Sequence, residues 1–101
     1  MWMNHTIVRG SPENITKAVE LLDKPEILNK FGSAPGFRAV YLVVNLEDAG
    51  EVISVSVWDS AEEGRAFYGS QAYKQIFGGV VHLVSEPPVH KQFEVKIEHV
   101  L

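Results

Sequence analysis

With 101 residues and a formal net charge of −4, the chain has room for one domain with a single modest core, and no basic stripe for nucleic acid. It has no cysteine, which excludes disulfides, thiolate metal sites and cysteine nucleophiles. The longest unbroken apolar run, Val40 to Val44, is far too short to cross a bilayer, and MWMNHTIVRG does not read as a signal peptide, so a single domain over residues 1–101, cytoplasmic and away from membranes, is the expectation.

Met1 to Val8 mixes β-branched and large apolar residues over a strand's length. Ser11 then offers an N-cap and Pro12 a first helical residue whose missing N–H costs nothing. Ile15, Ala18, Val19 and Leu22 recur at helical spacing. Pro25 cannot continue that helix undisturbed, so a kink or restart is expected, with Ile27, Leu28 and Phe31 carrying the apolar face onward.

The second strand spans Phe37 to Leu46, and its apolar run at Val40–Val44 predicts burial on both faces. A polar turn, EDAGE (Glu47 to Glu51), leads to a third strand over Val52 to Trp58, so the two form a hairpin. Ser60 and Glu63 read as a capping box for the second helix, which YGS (Tyr68 to Ser70) interrupts, Ser70 recaps and Gly78–Gly79 ends. Val80 to Val84 is a short buried linker or a turn of helix, SEPP bars regular structure, and Val89 to Val100 is the last strand.

The order β-α-β-β-α-β is the ferredoxin-like arrangement: α+β, one antiparallel sheet with the helices on one face. The second and third strands carry apolar side chains at both parities, so the uncovered face needs a partner. A second copy, sheet against sheet, is the partner expected.

PGF (Pro35 to Phe37), VISVSVWDSAEE across the third strand and second helix, and the later SQAY resemble the antibiotic-biosynthesis monooxygenase (ABM) family. The resemblance covers most of the chain and implies a dimeric α/β barrel with a pocket between sheet and helices. It places Trp58 at the pocket's border and Asn4 near a strand-one asparagine of heme-degrading relatives. Those relatives ligate iron with a histidine late in the second helix, where this chain has Phe77. Quinone-forming members carry an asparagine four residues before the tryptophan and a tyrosine six after it; here those positions are Ser54 and Gly64.

From the residues themselves, Trp58 is either a pocket wall or a core residue, since Ser54 and Ser56 on the same strand parity leave room for a ligand. His82 lies within an apolar segment and His5 on the first strand; these are the two candidate bases. His90 and His99, on the last strand, read as exposed or singly hydrogen-bonded. Tyr68 and Tyr73 can point hydroxyls into the helix–sheet space and, with Asn4, Ser54, Ser56 and Trp58, complete the expected binding set. No metal-binding spacing occurs, and no cofactor is expected. Three functions follow: a cofactor-independent monooxygenase of a small aromatic or hydrophobic ligand, a non-catalytic binding module, or, third, a heme-degrading enzyme.

Overall fold

Alternation along the strands decides which side chains meet the helices, and the register fixes how they line up. In the computed structural model, which describes residues 1–101, the strands are β1 (Trp2–Arg9), β2 (Phe37–Asn45), β3 (Asp48–Trp58) and β4 (Val89–Glu94). They form one antiparallel sheet in the order β2-β3-β1-β4. The helices are α1 (Pro12–Leu22), α2 (Pro25–Gly32), α3 (Ala61–Tyr68) and α4 (Gln71–Gly78), followed by a 3-10 turn at Val81–Leu83. This is the α+β, ferredoxin-like fold, with each of its two helices split in two.

The splits have local causes. Pro25 restarts the first helical segment as α2, because its ring and missing N–H end the hydrogen-bond ladder of α1. Ser11 caps α1, its Oγ accepting from the Asn14 N–H at 3.1 Å. Ser60 caps α3 by accepting from the Glu63 N–H at 3.2 Å, and Ser70 recaps the chain for α4 through the Tyr73 N–H at 3.4 Å.

Three expectations need correcting. β3 starts at Asp48 rather than Val52, because Arg9 grips Asp48 (3.0 Å) and Glu51 (2.6 Å) while Gly10 donates to the Gly50 carbonyl at 3.0 Å. The last strand stops at Glu94 instead of Val100: its neighbour β1 begins at Trp2, and after the Val95 N–H bonds the Met1 carbonyl no ladder partner remains. Finally, β2 is an edge strand and is not buried on both faces. Tyr41 and Val43 face the open side of the sheet, while Leu42 and Val44 remain part-exposed on the helix side.

On the helix side, β1 presents Trp2, Asn4, Thr6 and Val8, and β3 presents Val52, Ser54, Ser56 and Trp58. Across the strands these align in rows: Phe37–Trp58–Trp2, then Val40–Ser56–Asn4–Gln92, then Leu42–Ser54–Thr6–His90. The first row builds the aromatic core, where Trp58, with no solvent exposure, packs with Phe31, Phe37 and Phe67 at ring-centre distances of 6.5, 5.5 and 5.0 Å. The next two rows are polar and sit mid-sheet. No helix is long and apolar enough to cross a membrane.

Trp2 lies so tightly against α3 that a Cβ on Gly64 would sit 2.2 Å from its indole ring. Its Nε1–H is buried without a hydrogen-bond partner, so shape alone holds this ring. Gly64→Ala should therefore cost about 1–3 kcal/mol by overpacking, although alanine is the better helix former. In a Trp2→Leu background the same change should cost less or stabilise, as urea unfolding of the four proteins in this double-mutant cycle will report. Equal costs in both backgrounds would exclude the ring as the reason for glycine.

Candidate active site

Beyond the aromatic row, the middle of the sheet carries side chains too small to fill the space beneath the helices. Ser54 pairs with Thr6 on one side and Leu42 on the other. Above them lies a cavity of about 440 Å³ between the sheet and α1, α2 and α4, within the usual range for small-molecule sites. Its walls are apolar, chiefly Leu22, Ile27, Phe31, Val40, Ile76 and Phe77. Thr6, Ser54 and Tyr73 line the inner side, and Asp23 and Lys24, both exposed, stand where α1 hands over to α2.

A hydrogen-bonded cluster adjoins the cavity, joined to it through Thr6. Asn4 Nδ2 donates to Thr6 Oγ1 at 2.9 Å, and Thr6 Oγ1 lies 3.1 Å from His90 Nδ1. On the neighbouring strand, Trp58 Nε1 donates to Ser56 Oγ at 2.9 Å, and that oxygen is 2.6 Å from the Tyr68 hydroxyl. The Tyr68 ring lies edge-on to Tyr73 (4.8 Å between centres) and to His90 (5.6 Å). Asn4, Thr6 and Ser56 are buried, and each has a partner, as buried polar groups require.

No charged group enters this cluster. Burial pushes the Tyr68 phenol above its ordinary value, partly offset by Ser56, Asn4 and Thr6. Burial, with the neighbouring Tyr68, pushes Tyr73 up to about 12. His90, whose ring is covered on one side by the tyrosines, is pulled down by burial. At neutral pH the site therefore offers neutral phenols as donors and a neutral imidazole as acceptor.

The residues expected from sequence divide into three groups. Ser54 and Tyr73 line the cavity, and Asn4, Ser56 and Tyr68 form the cluster beside it. Trp58 is in the core and does not wall the cavity; its N–H is satisfied within its own strand by Ser56. Neither candidate base reaches the site. His5 points to the opposite face of the sheet, by strand alternation, and packs on Phe93 at 4.6 Å. His82 is exposed: the 3-10 turn's three-residue period buries Val80 and Leu83 together and turns Val81 and His82 outward. Thr6 and His90 were missed. Thr6 shares the parity of Asn4, which signals its direction, but His90 joins it only through a register between distant strands.

The family model for antibiotic biosynthesis monooxygenase matches residues 8–78. The chain belongs to that family. Solved structures agree at the level of fold. A crystal structure from Deinococcus radiodurans that bears the antibiotic biosynthesis monooxygenase name aligns at a TM-score of 0.79 with 17% identity, covering 100% of this chain and 98% of the other. One from Nitrosomonas europaea aligns at 0.74 with 11% identity, covering 96% and 100%. Rv0793 from Mycobacterium tuberculosis aligns at 0.77 with 18% identity, covering 98% of each chain. No curated protein matches the sequence.

Three positions set this ABM chain apart from the resemblance's patterns, and Ser54, in place of the asparagine, lines the cavity. The space beside Gly64, where quinone-forming members carry tyrosine, is filled by the Trp2 indole. Phe77, at the position of the iron-ligating histidine, lines the cavity and stacks on Tyr73 at 6.4 Å.

Because native Tyr73 titrates at about 12 against about 10 when unfolded, the native state holds this proton more tightly. Its contribution is fully present below about pH 10 and is lost as pH rises through about 12. Tyr73→Phe should flatten the fall in stability over that window, measured by urea unfolding between pH 9 and 12. An unchanged slope would place Tyr73 in water.

Proposed function

We propose that this ABM protein is a cofactor-independent monooxygenase acting on a small aromatic or hydrophobic substrate in the helix–sheet cavity. The observation that carries this reading is an apolar cavity of about 440 Å³ with Thr6, Ser54 and Tyr73 among its lining residues and no buried charge. A substrate that becomes an electron-rich anion on losing a proton can reduce dioxygen itself. The resulting peroxide then loses water, so that RCH2R′ + O2 gives RC(O)R′ + H2O. Carbon is oxidised by four electrons and dioxygen takes up four, so no external reductant enters.

In that reaction the apolar walls orient the ring and exclude bulk water, which strengthens every polar contact inside. Tyr73, Ser54 and Thr6 offer hydrogen bonds to the oxyanion that develops on the substrate. A heme-degrading role draws no support from the cavity: Phe77 cannot ligate iron, and no cluster of three or more metal-binding side chains occurs in the chain.

Oxygen uptake should rise above the buffer rate with at least one member of a panel of hydroxylated anthrones and hydroquinones. Ser54→Phe, which fills the cavity, should abolish it. Binding without oxygen consumption would instead mark a non-catalytic ligand-binding module.

The same reading includes a homodimer. The face of the sheet away from the helices carries Met3, Ile7, Val55, Val57, Tyr41 and Phe93 in adjoining rows, of which Tyr41 is 59% and Phe93 42% exposed. Such a contiguous apolar face suits a self-complementary contact. Light scattering after size exclusion should give twice the chain mass, and Val55→Glu, a charge at the centre of that face, should give monomers with unchanged circular dichroism. A wild-type monomer at micromolar concentration would exclude the dimer.

A further inference from the structure

We propose that the cavity selects uncharged molecules whose apolar body ends in one hydroxyl or carbonyl oxygen, which Ser54 holds at the cavity floor. This rests on the cavity being the ligand site, and it adds which molecules that site takes.

The floor has one gap in its packing. On the helix side of β3, Val52 and Ser56 are buried, at 4% and 0% exposure, yet Ser54 between them is only half-buried. The cavity lies over that gap, with Ser54 in its lining. A serine side chain is one methylene and one hydroxyl, so its oxygen is never more than a bond from the carbon on the wall. The hydrogen bonds of the neighbouring cluster run Asn4–Thr6–His90 and Trp58–Ser56–Tyr68, and they leave out Ser54. Thr6, its cross-strand partner on β1, is buried, and its hydroxyl is already engaged by Asn4 and His90. Ser54 Oγ is therefore the floor hydroxyl best placed to meet a ligand. It can donate to a carbonyl or accept from a hydroxyl. Around it stand Leu22, Ile27, Val40, Ile76 and Phe77, which suit an apolar body.

The surroundings reject charge of either sign. Asp23 and Lys24 are the only charged residues of the lining, and both are exposed. They are adjacent and opposite in sign, so an anion or a cation near them meets one attraction and one repulsion. Deeper in, nothing ionised is present to pair with a ligand charge, and an unpaired charge is costly to bury. Tyr73 registers that cost. It lines the cavity, and burial, with Tyr68 beside it, holds its phenol up at about 12. A permanently ionised headgroup bears the same penalty for as long as it is bound, whereas an anion formed during turnover meets it only then. A substrate of the reaction above thus arrives with its proton in place.

Four probes that share one naphthalene body separate these demands at pH 7: naphthalene, 2-naphthol, 2-naphthoate and 2-naphthylmethylammonium, each titrated calorimetrically. The naphthol should bind tightest, about tenfold over naphthalene for its one hydrogen bond. Naphthoate and the ammonium should bind more weakly than naphthalene itself, because each brings an unpaired charge. Ser54→Ala should lower naphthol affinity about tenfold and leave naphthalene affinity unchanged, which also shows that the variant keeps its cavity. A charged probe that binds as tightly as naphthalene overturns the selection against charge. An unchanged naphthol affinity in Ser54→Ala, or an equal loss for naphthol and naphthalene, overturns the role of Ser54. Either result leaves the cavity a ligand site, whereas no binding by any of the four overturns that reading as well.

Discussion

The hydrogen bond from the Trp58 indole to Ser56, two residues back on the same strand, organises the helix side of this sheet. It satisfies the only polar atom of a side chain with no solvent exposure, so Trp58 can serve wholly as core. The same serine oxygen meets the Tyr68 hydroxyl, which ties the end of α3 to the last residues of β3. Tyr68 in turn sets Tyr73 edge-on, and Tyr73 forms one wall of the cavity. A larger apolar side chain at position 56 would leave the indole unpaired and take the Ser56 partner from the phenol. The serine is thus retained for hydrogen bonding where packing alone favours valine, the residue on either side of it in sequence.

Polar residues mid-sheet are expensive to bury, by about 1–3 kcal/mol for each group left without a partner. Here every one of Asn4, Thr6 and Ser56 is paired, and the pairing leaves the cavity without a fixed charge. This matters for the chemistry proposed. A fixed cation would hold the substrate anion too firmly to give up an electron, and a fixed carboxylate would oppose its formation. Neutral donors and a neutral acceptor stabilise an anion only as it appears.

Elements were legible because their signals are local. Pro25 and the Tyr68–Ser70 break lie where a missing N–H or a serine cap forces them, and Gly36, with φ of +79°, makes the glycine of the PGF stretch a backbone requirement. That stretch and the tryptophan motif even meet in space, since the Asp59 N–H bonds the Gly36 carbonyl at 2.8 Å and Phe37 lies edge-on to Trp58. Their joint appearance in sequence is therefore a mark of fold before it is a mark of chemistry. The end of the last strand was not legible: alternation at Phe93, Val95 and Ile97 continues past Glu94, but β1 has no residues left to pair. Local pattern cannot report the length of a neighbour that is ninety residues away.

The histidines make the same point about the site. His5 and His90 lie on adjacent strands, yet His5 packs on Phe93 on the open face while His90 meets Thr6 beneath the helices. Strand β1 pairs Thr6 with His90 and His5 with Lys91. A one-residue slip of β4 would move His90 to the opposite face and bring Lys91 under the helices. The register that excludes this is held by few features of β4 itself, which is short and exposed along its length. Its hold comes from the far end, where Arg65 reaches Gln92 from α3, and from the Thr6–His90 contact. The contact between His90 and Thr6 is therefore also one that aligns the strand, so the polar cluster beneath the helices and the register of the sheet are set together.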